Sequence, residues 1–353
     1  MKNSQLYILW FGTTLTSVVI LLNYFQQRRR KKKDEERKTE YLKCKSLSDF
    51  EELAKKSMMP HRFYYYDYKA GQGHTYQACR HYFDKQLRIM PRFLLRHYEF
   101  TGRGNAFVNI YYRSIYESPI LIATFACHCL AHVDGEVATA RAATEAQCIF
   151  TYNWTFSNMP EEEVLQTLGI SFFLFYLIFS SVLFILGPKF LHIYLTTPIE
   201  ILEQIVPQAD KKGYRAIVIT CDQPHERIRD FVLPLFEEAS KNIDPELMKS
   251  MSIPNLNIPG IIVKQRFGTG SVTWANIEWL RKLTQLPIIC KGILSPIDAE
   301  LAIKYGANGI IVSNHGGRLI DTAPPAIECL EDVINVVDGR AEGKFVLMTI
   351  EKI

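Results

Sequence analysis

The chain has 353 residues, 22% of them charged and 48% hydrophobic, with 41 lysines and arginines against 37 acidic residues for a formal net charge of +4. That balance excludes a disordered chain, a collagen-like repeat and a disulfide-dense mini-protein, while the length admits two average domains or one α/β barrel of about 250 residues. The charge is local: the basic run Arg28 to Lys33 outweighs the whole excess, and no basic face for a nucleic acid shows elsewhere.

Residues 6–25, LYILWFGTTLTSVVILLNYF, carry no charge. At about 1.5 Å per residue such a stretch crosses a hydrocarbon core of about 30 Å. Only Lys2 precedes it and QQRRRKKK follows it, so the positive-inside rule places the C-terminal side in the cytosol. A cleaved signal peptide is the rival reading, disfavoured because the basic cluster lies on the wrong side and no A-x-A site follows. The expected organisation is a membrane anchor over 1–27, a charged linker over 28–45 and one domain over 46–353.

Strand-like runs then recur from Ser118: SPILIAT at 118–124, CIFTYNW at 148–154, FLHIYL at 190–195, RAIVITCD at 215–222, LPIICKG at 286–292 and GIIVSNH at 309–315. Runs apolar along their whole length are buried on both faces, as parallel strands of an α/β fold are. Stretches such as Pro198–Lys212 and Ile297–Tyr305 suit the crossover helices between them. The expected fold is an α/β TIM barrel; a doubly wound sheet is the alternative, without an early G-x-G-x-x-G to support it. A second uncharged block, LGISFFLFYLIFSSVLFIL at 168–186, interrupts the series. A bilayer cannot divide one sheet without breaking its backbone hydrogen bonds. The block is therefore expected to be an insertion over 168–187, from a retained intron or gene-model error, rather than a second span.

The eight cysteines form no C-x-x-C pair, which reads as reduced thiols facing the cytosol, with no disulfide framework and no zinc site. Cys127 and Cys129 flank His128, where packed thiols are favoured over a metal. The chemistry concentrates at strand ends. SNHGGRLID at 313–321 puts His315 directly after a buried run, with two glycines and then Arg318, a pattern that suits a general base beside an anion clamp. A helix-capping histidine and a surface arginine would read the same way in isolation. Lys291 ends another run, where a buried ammonium needs an anion or an electron-rich ring. Asp222 ends a third, suited to fixing the tautomer of a facing imidazole.

These residues resemble the FMN-dependent 2-hydroxy-acid oxidases and dehydrogenases, the family of glycolate oxidase and lactate oxidase. The resemblance covers roughly 46–348 and is carried by YYYDYKAG at 64–71, MPRFL at 90–94, HVDGEVATARAA at 132–143, AIVITCDQP at 216–224, W-x-x-I-x-W-L at 274–280, LPIICKG and above all IIVSNHGGRLID. It implies a flavoprotein oxidoreductase that turns an (S)-2-hydroxy acid into a 2-oxo acid. His315 would take a proton from the substrate while its C2 hydrogen moves to flavin N5, with hydride and carbanion routes both open. Asp222 would orient His315, Arg318 and Arg229 would bind the substrate carboxylate, and Tyr194 and Tyr66, with Tyr65 next, would hydrogen-bond the substrate. Lys291 would stabilise charge on the reduced ring, and Thr220 and Ser313 would contact the flavin.

Several positions depart from the family pattern. Ala123, Thr124, Phe125 and Ala126 replace A-P-T-A beside the flavin, Tyr152 stands where a serine is usual, and His192 replaces a flavin-binding glutamine. An imidazole donates one hydrogen bond but does not reproduce an amide's paired contact. After KFVLM at 344–348 the family pattern continues into a glycine- and arginine-rich FMN phosphate site, whereas this chain reads TIEKI and stops. The expectation is an incomplete barrel with its last strands missing, two unpaired edges and poor FMN binding. A non-catalytic membrane-anchored scaffold derived from the family is the alternative function. The resemblance further implies a small 2-hydroxy acid as partner, a homo-oligomer and, against the cytosol-facing membrane location, a peroxisomal one, although the ending is not S-K-L.

Overall fold

The computed structural model describes residues 40–86, 120–146, 148–170, 189–223, 233–241, 246–256, 272–337 and 345–348. Residues 6–25, the basic run Arg28 to Lys33, Arg229 and residues 171–187 of the apolar block lie outside them. Among the described residues no helix is long and apolar enough to cross a membrane. Two compact units divide the chain after Phe63.

In the first unit, helix α1 (Leu47–Ser57) begins where the expected linker ends. Ser46 Oγ accepts from Asp49 N, and the Asp49 carboxylate accepts from Ser46 N at 2.8 Å, so two of the backbone donors left open at a helix start are satisfied reciprocally. Lys55 and Lys56 lie in the last turn, where cations favour the helix dipole. Helix α2 (Pro60–Asp67) runs across the division, its residues from Tyr64 onward belonging to the second unit.

The second unit is a parallel sheet of seven strands, β1 (Leu121–Ile122), β2 (Ile149–Asn153), β3 (Lys189–Tyr194), β4 (Ala216–Thr220), β5 (Ile288–Ile293), β6 (Gly309–Val312) and β7 (Phe345–Met348). Each strand lies beside the next in sequence, the singly wound order of a barrel wall; a doubly wound sheet would reverse direction partway. Every expected run contains a strand. The first shrinks to two residues, since β1 pairs with β2 alone in the described sheet. The residues expected to begin a seventh strand form a paired one, with Gly309 to Val312 opposite Phe345 to Met348.

Side chains alternate across this sheet because a strand repeats every two residues. Ile149, Phe190, Ala216, Val218, Ile289 and Ile311 fill one face, the barrel interior, with Leu121 against them. Phe150, Tyr152, Leu191, Ile193, Ile217, Ile219, Ile288, Cys290, Ile310 and Val312 point the other way, into the layer shared with helices α4 (Gly135–Glu145), α5 (Glu161–Ile170), α6 (Ile199–Ile205), α9 (Ala275–Leu283), α10 (Pro296–Lys304) and α11 (Ala326–Val337). Between α6 and α9 lie α7 (Leu233–Ser240) and α8 (Leu247–Ser250), and α3 (His74–His81) follows α2. The helix expected over 198–212 stops at Ile205 and tightens into a 3-10 turn over Val206–Gln208. Pro207 supplies the reason, as it has no N–H to continue the ladder. In the outer layer the buried Glu161 accepts from Tyr214 Oη at 2.9 Å and Trp154 Nε1 at 3.3 Å and pairs with Lys212, which pins the loop leaving β2.

Candidate active site

The interior-facing side chains at the C-terminal ends of the strands form one polar rim. Register sets Tyr194 opposite Thr220 and Thr220 opposite Lys291, a single row across β3, β4 and β5. Ser313 follows β6 directly, and its hydroxyl accepts from Lys291 Nζ at 3.2 Å and from His315 N at 3.0 Å. Tyr194 is buried, with its ring edge-on to Phe156 and to His192, both at 4.9 Å.

At the centre, His315 Nδ1 lies 3.0 Å and 3.1 Å from the two Asp222 carboxylate oxygens. Their side chains keep 18% and 15% exposure, enough for a ligand to reach the ring while most water stays out. Burial alone would raise the Asp222 carboxyl, but His315 and then Lys291 outweigh it and hold the group below its ordinary value. With the carboxylate accepting at Nδ1, a neutral imidazole carries its lone pair on Nε2, free to act as a base. Backbone detail supports this pair. His315 adopts φ +58, a left-handed conformation that costs a non-glycine residue about 1–3 kcal/mol and is retained where surrounding contacts enforce it. Gly292, at φ +99 beside a register shift in β5, leaves the space where a Cβ would come within 2.5 Å of Asp222 Cγ.

The other side of the rim is incompletely bonded. His192 is fully buried on the interior face, with Nε2 2.7 Å from Thr220 Oγ1 and Nδ1 without a partner among the described residues. Burial, then Lys291 and His315, push its ring well below the ordinary imidazole range, so it is neutral at pH 7. Thr124 Oγ1 and Thr151 Oγ1 are likewise buried with no partner. Buried polar atoms are nearly always bonded, yet among the described residues these three, one following β1 and the others within β2 and β3, have no partner, as does Glu136 Oε2 in α4.

Several expected site residues sit elsewhere. Tyr152 is turned into the helix layer, its hydroxyl donating to Met159 O at 3.1 Å and accepting from Asn255 Nδ2 at 2.7 Å. Strand alternation puts Thr151 and Asn153, not Tyr152, on the interior face, and Asn153 is in register with His192. Counting by two from Ile149 would have found both. The Phe125 ring, expected against a flavin, stacks on Tyr66 at 5.0 Å, and Ala126 is half-buried beside it. Tyr66, expected to bind substrate, is an internal strut: its hydroxyl donates to Cys127 O at 2.7 Å. Tyr65 instead lies under Arg318, with the guanidinium carbon 5.6 Å from the ring centroid. Burial pushes both phenols well above their ordinary value, so each is a neutral hydrogen-bonding group.

Arg318 itself donates to the carbonyls of Tyr65 at 2.8 Å, Tyr66 at 2.9 Å and Tyr68 at 3.4 Å, tying down the end of α2. Asp321 works beside it, accepting from Gln72 N at 2.8 Å and Thr75 N at 2.9 Å at the start of α3. Gly317 completes the seam, because its O accepts from Ala70 N at 2.9 Å and a Cβ there would sit 2.9 Å from Tyr76 N. Three chain-distant contacts thus hold the His315 loop against 65–76, an arrangement with no local sequence signal beyond the glycine and aspartate of SNHGGRLID.

Residues 54–345 match the model of the FMN-dependent dehydrogenase family. The chain is 33% identical over 297 residues to the peroxisomal (S)-2-hydroxyacid oxidase GLO3 of Arabidopsis thaliana, covering 84% of this chain and 75% of that one. It is 32% identical over 310 residues to an L-lactate oxidase of Nostoc sp. strain PCC 7120, covering 84% and 77%. Among solved structures it is similar to mandelate oxidase with (S)-2-phenylpropionate, at TM-score 0.62 and 27% identity over 86% of this chain and 77% of that one. With a barrel-ordered sheet, a His–Asp pair and a buried lysine at its rim, and a match across most of its length, the chain belongs to the FMN-dependent dehydrogenase family.

Proposed function

We propose that this chain oxidises a small (S)-2-hydroxy acid of the glycolate or lactate type to its 2-oxo acid, using FMN. The observation that carries the reading is the His315–Asp222 pair, which presents a basic Nε2 at the mouth of the barrel beside a buried ammonium. The rim fits the cofactor: Thr124, Thr151 and His192 hold unbonded polar atoms, and Lys291 brings a cation, so together with Thr220 and Ser313 they suit a planar polar ring that gains negative charge on reduction.

Bound FMN supplies the two-electron acceptor. His315 Nε2 takes the substrate hydroxyl proton, and the resulting imidazolium is stabilised by Asp222, whose negative charge persists because its carboxyl is held below its ordinary value. Lys291 offsets negative charge developing on its side of the site. Arg229 is the carboxylate partner in this reading, since guanidinium geometry matches a carboxylate in two contacts, and Arg318, whose terminal nitrogens donate to the carbonyls of Tyr65, Tyr66 and Tyr68, adds its positive charge. Tyr194, and Tyr65 rather than Tyr66, orient the substrate by hydrogen bonds.

The test is an absorption spectrum of the purified chain, with anaerobic addition of glycolate or lactate. Flavin bands that bleach support the proposal. His315→Ala should keep those bands and bleach about 10²–10⁴-fold more slowly. Absence of flavin from the native chain, or equal bleaching by the variant, would overturn it. We also propose that residues 6–25 anchor the protein with its domain on the cytosolic side. Release by carbonate washing, or recovery from the peroxisomal matrix, would instead favour the location named for the Arabidopsis relatives.

A further inference from the structure

His192 is a residue in which the rim departs from the pattern the chain resembles, and its surroundings fix what it can do. Its ring is faced by Thr220 from β4, Lys291 from β5, His315 and Asp222 from the ends of β6 and β4, Asn153 in register on β2 and Tyr194 on its own strand. Two of those neighbours carry or can gain positive charge and one carries negative charge, and the site is buried, so the imidazole stays neutral. A neutral imidazole has one donor nitrogen and one acceptor nitrogen. Thr220 Oγ1 occupies Nε2 at 2.7 Å, so only Nδ1 is left, and it is buried with no partner among the described residues.

Resting on the functional reading above, we propose that His192 Nδ1 makes a single hydrogen bond to the polar edge of the bound flavin ring, and that this one-point contact weakens FMN retention in this chain. The polar edge of an isoalloxazine alternates carbonyl acceptors with an N–H donor. A side-chain amide offers a donor and an acceptor side by side and satisfies two neighbouring positions, whereas an imidazole tied at Nε2 satisfies one. The geometry makes the limit structural: Thr220 holds the second nitrogen back from the flavin, so no rotation of the ring supplies a second bond without breaking the first.

The experiment titrates FMN into the purified, FMN-depleted full chain in mild detergent, following flavin fluorescence quenching and the visible bands of the bound state. His192→Gln should bind FMN about 2- to 10-fold more tightly, the effect of one added neutral hydrogen bond. His192→Leu, apolar and of similar bulk, should bind more weakly than the native chain, and both variants should displace the visible bands. A glutamine variant with native or weaker affinity and unshifted bands overturns the proposal, and it decides the matter even if the leucine variant does not fold. If the native chain binds no FMN, the functional reading fails and takes this proposal with it; native binding with an unchanged glutamine variant sinks this proposal alone.

Discussion

The two sides of the barrel rim satisfy their polar groups in different ways. At the ends of β4, β5 and β6 the protein bonds to itself: Asp222 to His315, Lys291 to Ser313, and Ser313 again to the His315 backbone. After β1 and within β2 and β3, Thr124, Thr151 and one nitrogen of His192 have no bond among the described residues. The first side is preorganised for proton transfer, where the base must be aimed before substrate arrives. Unbonded buried groups cost stability; in the proposed reading a bound ring relieves that cost on the second side, which links cofactor loading to folding stability.

Removing a partner on the preorganised side should have the largest effect. Asp222→Asn should lower turnover by about 10²–10⁴-fold while leaving bound FMN in place, measured as the reduction rate with substrate in a stopped-flow instrument. The same variant has a pH signature. Because the folded Asp222 carboxyl lies below its ordinary value, its contribution is present above the unfolded-state pKa of about 4 and is lost as pH falls through the folded value. The melting-temperature gap between native and Asp222→Asn protein should therefore be widest near neutrality and close in acid. A constant gap would mean that the carboxylate contributes no charge-dependent stability.

Gly292→Ala should follow in size. Its Cβ would displace Asp222 and strain a backbone at φ +99, and a catalytic pair moved by about 1 Å loses about 10²-fold in rate. The substrate concentration for half-maximal rate should change less than the rate itself. Unchanged turnover would show that Asp222 can shift without cost. Thr151→Val, on the unfinished side, should have the smallest effect and a sign that depends on loading. It removes a buried hydroxyl with no partner, so the FMN-free chain should gain about 1 kcal/mol in stability, whereas the FMN-loaded chain should lose a bond. Thermal melts with and without FMN read both signs, and equal shifts in the two states would erase the contrast between the sides.

The strands were legible because parallel strands buried on both faces write themselves as unbroken apolar runs, and the ionisable residues ending them stood out for the same reason. Asp222, Lys291 and His315 were thus visible from the residues alone. Tyr152 was misplaced because a motif match identifies a position but not a face; alternation along β2 puts its neighbours Thr151 and Asn153 inside. The short α6 was legible in principle, since Pro207 is an explicit stop. The partners of Arg318 were not: its side chain meets the carbonyls of Tyr65, Tyr66 and Tyr68 through tertiary folding, and a guanidinium three residues after the histidine reads equally well as an anion clamp.

The seam between 65–76 and the loop after β6 also bears on the order in which the molecule is assembled. Its bonds join residues 246 to 253 positions apart, so the segment carrying Tyr65, Gln72 and Thr75 leaves the ribosome long before Arg318 and Asp321 exist. Contacts that close so long a stretch of chain form late, after the intervening strands have paired, because their entropy cost precedes any return from packing. Until synthesis reaches Asp321, the segment 65–76 waits without its clasp, and the emergence of the loop after β6 sets the earliest moment at which that loop is fastened.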